Sequence, residues 1–289
     1  MRLGRVALLL LAAALFAASV PARADWRAAA EKEVGRAGVP SGKDIIKFYF
    51  PRGDLGVKVH GMTVEPALAL TGWVTLKNEG AMGTAIMGDL ALKEDEVKPV
   101  MARLLKDNIW ITSVSDHLMF ETPRVMFVHF GSRGKAMTLA RAMKEVIGLT
   151  STPLKPKAAK GETADWSKVE AVLGKGRQEG DVIHFTFLRK DKIRELGVVL
   201  PPVLGAVTDV NFQKDGEKAA VAGYYALESG ELNPVINALL ESGISVTAIH
   251  NGMLFEKPRL FYAYFWGYGE PEKLARGIKA ALGKADYKR

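Results

Sequence analysis

The feature that most constrains the fold of this chain is an internal repeat. Residues 88–132 align with residues 223–267 at a constant offset of 135, without a gap, and 15 of the 45 aligned positions are identical. The Glu-x-Pro-Arg motif of 121–124 recurs at 256–259. Unrelated segments do not keep one register with matched prolines, glycines and charges, so we interpret the chain as a tandem duplication.

Each copy predicts the same order of secondary structure. Runs rich in β-branched and aromatic residues, such as 44–50 and 68–77, are typical of strands. Apolar residues on one face of 94–107 predict an amphipathic helix, and a second helix is expected at 135–147. This β–α–β–β–α order matches a ferredoxin-like split βαβ unit. We therefore predict an α+β fold of two tandem copies, each a mixed β-sheet with helices on one face, related by a pseudo-twofold axis.

The boundaries of the copies follow from composition. Residues 150–164 are rich in Pro, Lys, Thr and Ala and have no apolar periodicity, which predicts a linker. The first repeat domain is expected at 25–149 and the second at 165–289. Each is of ordinary domain size.

The first 24 residues have the pattern of a secretory signal peptide. Arg2 and Arg5 precede an apolar run at 6–20, and small residues end the segment at 22–24. The run is too short to favour a transmembrane helix. Because the chain has no cysteine, no lipid anchor at a lipobox and no disulfide can form. We expect a periplasmic or secreted protein without a transmembrane segment.

The charge of the chain argues against nucleic-acid binding. The formal net charge is +8, and removal of the three arginines in residues 1–24 leaves +5. This excess is dispersed along the chain, whereas nucleic-acid-binding proteins concentrate basic residues on one surface. We expect no nucleic-acid partner.

Two of the five histidines lie in residues 109–132, which predict a β-hairpin with its turn at Pro123. In that register His117 lies opposite His129, and cross-strand Cβ atoms are roughly 4.5–5.5 Å apart. Two imidazoles at this distance are able to share a metal ion. Glu121 is about 13 Å further along the strand and is a poor third ligand.

The second copy offers a third imidazole, His250, at the position of Ser115 in the first copy. If the pseudo-twofold axis brings the copies face to face, His117, His129 and His250 form one site for zinc or copper, with Asp116 and Asn251 as hydrogen-bond partners of the ligands. The alternative is a pair of cross-strand histidines satisfied by hydrogen bonds on a polar sheet face.

A second candidate is an anion site, because the planar guanidinium suits carboxylate and phosphate. The arginines concerned are Arg52, Arg124, Arg189 and Arg259. The alternative is that they form local ion pairs, with Glu121 pairing Arg124 and Glu256 pairing Arg259 at the two turns.

Several phrases resemble the LppY/LpqO-like family of exported bacterial proteins, which are built around a domain of unknown function. They are PRGDLGVKVHGM (51–62), ALALTGWVTLK (67–77), MGDLALKEDEVKPVM (87–101) and the hairpin itself. The resemblance implies export and no established activity. The family's hairpin tends to read His-Asn-His before its turn, with another His on the return strand. Each copy here lacks part of that set.

These observations predict an exported ligand-binding protein of unknown specificity that binds a transition metal at the hairpins. Two alternatives stay open, a metal-dependent hydrolase with Glu121 or Asp116 as base, and a non-catalytic envelope module. The sequence has no nucleophile elbow and no phosphate-binding glycine loop, and it identifies no catalytic residue.

The signal peptide makes a direct prediction. The chain produced with its own leader in a Gram-negative host should accumulate in the periplasm with Asp25 as its first residue, and N-terminal sequencing or intact mass measures this. A chain that keeps residues 1–24 in the cytoplasm would contradict the assignment.

Overall fold

A computed structural model describes residues 26–155, 164–195 and 198–288 of the chain. The predicted signal peptide and most of the predicted linker therefore lie outside the described residues. Within these ranges, no helix is long and apolar enough to cross a membrane.

Among the described residues, the first half contains four α-helices, a 3-10 turn at Gly80–Met82 and nine strands. The helices are α1 (Trp26–Val34), α2 (Pro66–Ala69), α3 (Glu94–Lys106) and α4 (Ala136–Ile147). The strands are β1 (Val39–Pro40), β2 (Ile45–Pro51), β3 (Lys58–Val59), β4 (Met62–Thr63), β5 (Thr71–Asn78), β6 (Thr84–Leu92), β7 (Trp110–Ser115), β8 (Glu121–Thr122) and β9 (Met126–Gly134).

The second half repeats this order, with a 3-10 turn at Pro202–Leu204 in place of α2. Its helices are α5 (Ser167–Leu173), α6 (Ser229–Glu241) and α7 (Pro271–Leu282). Its strands are β10 (Arg177–Glu179), β11 (Val182–Leu188), β12 (Arg194–Glu195), β13 (Val198–Val199), β14 (Val207–Asp215), β15 (Lys218–Leu227), β16 (Ser245–His250), β17 (Glu256–Lys257) and β18 (Phe261–Gly269).

The two halves have the same sheet topology. The strand orders are β1-β2-β5-β6-β9-β7 and β10-β11-β14-β15-β18-β16, and a three-stranded sheet accompanies each, β4-β3-β8 and β13-β12-β17. Strand β9 lies between β6 and β7, as a split βαβ unit requires. The predicted α+β duplication is confirmed. The expected mixed pairing is wrong, because all strand pairs among the described residues are antiparallel.

The strands have two apolar faces, which explains a four-layer arrangement of helices, sheet, sheet and helices. Along β9, Val128 and Phe130 belong to the core beneath α1, α3 and α4. Phe127 points to the opposite face and joins a cluster that includes Ala220 and Trp266 of the second half. Successive side chains of a strand point to opposite faces of the sheet. One face of each sheet therefore packs against the helices of its own half, and the opposite face packs against the sheet of the other half.

Two reciprocal hydrogen bonds mark the pseudo-twofold relation at this interface. The Thr112 hydroxyl donates to the Gly252 carbonyl at 2.9 Å. The Thr247 hydroxyl donates to the His117 carbonyl at 2.7 Å. Thr247 is the repeat equivalent of Thr112, and Gly252 is that of His117. The two bonds therefore fix the loops after β7 and β16 relative to the opposite half.

A buried arginine holds each half together just after its first long strand, β2 or β11. Arg52 is 1% exposed and contacts Asp54, Glu96 and the Ala91 carbonyl at 2.6–3.2 Å. Glu96 also accepts from the backbone N–H of Lys93, which caps α3. A charged group this deeply buried is stable only when it is fully paired.

The second half repeats this arrangement with Arg189. Its guanidinium contacts Asp191, Glu231 and the Ala226 carbonyl, and its residue exposure is 5%. In both halves the arginine therefore has a structural role. It links the end of a strand (β2 or β11) to another strand of the same sheet (β6 or β15) and to the first turn of a helix (α3 or α6).

Replacing Arg52 by methionine should therefore destabilise the protein by about 3 kcal/mol, because it leaves Glu96 and Asp54 without their buried partner. Denaturant unfolding measures the loss. The matched control is Arg124→Met, at an exposed ion pair with Asp116, which should leave the unfolding midpoint nearly unchanged. Equal midpoints for the two variants would show that the buried cluster does not stabilise the fold.

Candidate metal centre

The loop after β7 differs from the predicted hairpin. Strand β7 pairs with β9 so that Ser113 faces His129 and Ser115 faces Phe127, with a bulge between Ile111 and Ser113. The predicted register, with His117 directly opposite His129 and a tight turn at Pro123, is wrong. The connection is longer and includes β8, which pairs with β3.

The histidines nevertheless meet. His117, from the loop after β7, lies with its Nε2 3.1 Å from the Nε2 of His129 on β9. One potential ligand nitrogen from each of His117, His129 and His250 lies within 4.8 Å of the other two. His117 and His129 are 6% and 7% exposed, so the cluster lies inside the interface between the two halves.

The local contacts of His250 leave one nitrogen free toward the cluster. Its Nδ1 lies 3.1 Å from the carbonyl of Asn251, which accepts from an Nδ1–H and so favours the tautomer with an unprotonated Nε2. That Nε2 is buried and has no hydrogen-bond partner among the described residues. A buried imidazole nitrogen with a free lone pair is a ready metal ligand.

Tyr264, a residue of the second half, stacks against two of the three imidazoles. Its ring stacks on His117 at 3.6 Å between centroids and on His250 at 5.1 Å. Phe127 stacks on the other side of His117 at 3.8 Å. Tyr264 is the repeat equivalent of His129. Where the first copy has a histidine, the second copy therefore has an aromatic ring that stacks on the histidines of the cluster.

An acidic side chain that the sequence reasoning missed lies beside the cluster, next to His129. Asp89 on β6 pairs with His129 across the sheet, and its Oδ1 lies 3.5 Å from the His129 Nε2. The residue is 7% exposed, and Oδ1 has no hydrogen-bond partner within the described chain. The available signal was a carboxylate inside the otherwise apolar strand 84–92.

Burial governs the protonation of the site. It lowers the pKa of His117 and His129 well below 6.5, and the neighbouring imidazoles lower both further. It also lowers the pKa of His250. The imidazoles are therefore neutral at pH 7 and offer lone pairs. Burial raises the pKa of Asp89 well above its usual range, and Lys47 opposes that shift.

The arrangement suits a borderline-soft divalent cation. Three neutral imidazoles and one carboxylate are the ligand types that zinc and copper accept. In a tetrahedral zinc site with Zn–N distances of about 2.0–2.1 Å, the ligand nitrogens lie about 3.3–3.4 Å apart. The 3.1 Å between the His117 and His129 nitrogens is close to that separation.

Of the two residues predicted to hydrogen-bond the metal ligands, Asn251 contacts a cluster histidine and Asp116 does not. Asn251 contributes its backbone carbonyl to His250, while its side-chain amide donates to the Leu260 carbonyl. The carboxylate of Asp116 binds the guanidinium of Arg124 at 2.6 Å, and both side chains are largely exposed. Asp116 is therefore occupied at the surface and does not orient an imidazole through any described contact.

The four predicted anion-binding arginines do not converge. Arg52 and Arg189 are saturated by carboxylates in separate halves. Arg124 pairs with Asp116, so the expected Glu121–Arg124 pair is not the observed one. The expected pair of Glu256 and Arg259 is present at 3.5 Å.

A family model matches the chain twice, over residues 28–148 and 167–284, and its description is Domain of Unknown Function (DUF1259). The two matches correspond to the two halves of the fold. The resemblance to the LppY/LpqO-like family stays a prediction. A search of curated proteins finds no match.

Two solved structures show a distant likeness. The crystal structure of EtuB from Clostridium kluyveri is 8% identical, with 85% of this chain and 88% of that chain covered and a TM-score of 0.24. The trimeric bacterial microcompartment shell protein PduB is 11% identical, with 86% and 89% covered and a TM-score of 0.22. TM-scores of this size support no functional inference.

The lowered histidine pKa values predict a pH dependence of the metal-free protein. Below about pH 6.5, His129 is protonated in the unfolded chain but stays neutral in the native state. The free energy of unfolding therefore decreases as the pH falls. The wild type should lose stability relative to His129→Gln by roughly 1.4 kcal/mol per pH unit below 6.5, down to the native pKa.

Chemical denaturation at pH 7, 6 and 5 measures this difference. Comparison with His129→Gln matters because the raised pKa of Asp89 acts in the opposite direction in the same range. The control for loss of an imidazole is His60→Gln, at an exposed histidine outside the cluster. A constant difference between wild type and His129→Gln across this range would contradict the assigned protonation.

Proposed function

We propose that this chain, which belongs to the family described as Domain of Unknown Function (DUF1259), binds one transition-metal ion, zinc or copper, between its two halves. One observation carries the proposal: the ligand nitrogens of His117, His129 and His250 lie within 4.8 Å of one another in a buried site. The proposed ligands are these three nitrogens and the carboxylate of Asp89.

Unsatisfied polar atoms support this proposal over a hydrogen-bonded histidine cluster. A hydrogen bond between His117 and His129 satisfies at most those two rings. It leaves the Nε2 of His250 and the Oδ1 of Asp89 buried without partners among the described residues. Each such atom costs on the order of 1–3 kcal/mol, and a bound cation would satisfy both.

Charge supports it as well. Desolvation disfavours an isolated carboxylate, which is why the pKa of Asp89 is raised. A divalent cation among the imidazoles would supply the missing positive charge and favour the ionised carboxylate. Lys47 also lies near Asp89 and opposes the shift, so the surroundings tolerate an ionised Asp89 once a metal is present.

The metal would belong to both copies. His117, His129 and Asp89 come from the first half and His250 from the second, so binding would link the halves across the interface. Ligand binding to the native state alone raises stability by mass action. We further propose, from residues 1–24, that this binding takes place outside the cytoplasm. No specific observation favours a hydrolase over a binding protein.

Purified protein from a metal-replete culture should contain one zinc or copper ion per chain by elemental analysis, after exhaustive dialysis against metal-free buffer. His117→Ala, His129→Ala and His250→Ala should each lower the affinity at least a hundredfold in a competition titration. Asp89→Asn should lower it about tenfold. His60→Ala, at an exposed histidine outside the cluster, should keep full stoichiometry.

The melting temperature provides an independent measure, because one bound ion should raise it in the wild type and in His60→Ala. The same metal concentration should raise it much less in a folded His250→Ala protein, since only the ligands of the first half then remain. Absence of stoichiometric metal, with no change of melting temperature in added zinc or copper, would refute the proposal. An affinity that falls less than tenfold on loss of His250 would refute a shared site.

A further inference from the structure

The interface between the halves is not symmetric at one position. Trp266 on β18 is the repeat equivalent of Gly131 on β9. Trp266 is 8% exposed and packs in an apolar cluster with Val59, Leu68 and Ala222. The indole of Trp266 thus fills the space between the second sheet and the first half.

The equivalent space on the other side of the pseudo-twofold axis is a cavity. It is bordered by Gly131 and by Glu195, Leu204 and Met87. These three residues are the repeat equivalents of Val59, Leu68 and Ala222, respectively. The cavity encloses about 40 Å³ and is partly open to solvent. It exists because Gly131 has no side chain where the other copy has an indole.

Met87 explains why the cavity is smaller than an indole. It stands where the second copy has Ala222, so its longer side chain fills part of the space that Trp266 occupies in the counterpart. Methionine is flexible and adapts readily to a neighbouring group. A backbone clash does not close the site either, since a Cβ added at Gly131 would have its nearest neighbours at 3.5 and 3.9 Å, which is ordinary van der Waals contact.

The cavity also carries polar atoms that its apolar counterpart lacks. Glu195 replaces Val59, and its Oε2 is buried without a hydrogen-bond partner in the described chain. Arg133 borders the same cavity, and its Nε is likewise buried and unpartnered among described residues. Buried polar atoms without partners are rare in native proteins and call for an explanation such as a ligand.

We infer that this cavity is a binding site for a planar aromatic molecule of about indole size that carries an N–H donor. The ring would occupy the place that Trp266 takes in the other copy, after Met87 moves toward the mouth. The N–H would donate to the Oε2 of Glu195. Apolar walls with one or two polar groups that fix orientation are typical of small-molecule sites.

The site adjoins the proposed metal centre without depending on it. Met87 and Gly131 directly pair across the sheet, and Asp89 and His129 form the next pair on the same face. The inference rests on the shape and polar atoms of the cavity, which are properties of the metal-free chain. Its test is therefore made in the presence of a chelator.

Indole is the probe, with isothermal titration calorimetry and ligand-observed NMR as the measurements. The wild type should bind indole, and Met87→Ala, which restores the alanine of the other copy, should bind at least fivefold more tightly. Gly131→Trp, which restores the tryptophan, should abolish binding. Met119→Ala, at an exposed methionine, should bind as the wild type does.

Glu195→Val tests the polar contact separately and should weaken indole binding to Met87→Ala at least tenfold. It also covers the case in which Gly131→Trp fails to fold, which circular dichroism would detect. Failure of Met87→Ala to bind indole at millimolar concentration would overturn the inference. Undiminished binding by folded Gly131→Trp, or by Glu195→Val in the Met87→Ala background, would also overturn it.

Discussion

The structure depends on packing together two sheet faces that carry polar as well as apolar side chains. Each sheet covers one face with its own helices, and the other face presents histidine, aspartate and tyrosine residues. Burying such groups is costly unless they find partners. The partner is the same face of the other copy, and the reciprocal bonds from Thr112 and Thr247 hold the two faces in register. The proposed metal centre exists only because this packing brings His250 to His117 and His129.

Divergence between the copies then accounts for what is specific to this interface. The skeleton is repeated closely, down to the buried guanidinium groups of Arg52 and Arg189 and their carboxylate partners. The copies differ at key positions of the facing strands, where His129 is matched by Tyr264 and Gly131 by Trp266. A symmetric duplicate would present two equal half-sites. In this chain the histidine cluster and the cavity each occur on one side of the pseudo-twofold axis. Each is formed by residues of both halves, so each proposed site requires both copies.

Much of the fold could be predicted from the sequence because the repeat gives two readings of every element. The order of strands and helices followed from that pattern, whereas the pattern left open whether the two copies pack face to face. The register of β7 and β9 did not, because a bulge and a long connection through β8 are set by tertiary pairing with β3. Asp89 escaped notice because a carboxylate within an apolar strand has no local signature of its role. The arginines looked available in sequence because their carboxylate partners are up to 44 residues away.

The central claim is that one metal ion is held jointly by residues of both halves. A crystal of the metal-loaded protein, measured on both sides of the zinc or copper absorption edge, tests it most directly. The account predicts a single anomalous peak per chain, within about 2.0–2.2 Å of one nitrogen each of His117, His129 and His250 and of an Asp89 oxygen. A fully loaded crystal with its peak at any other position, or with His250 uncoordinated, would contradict it.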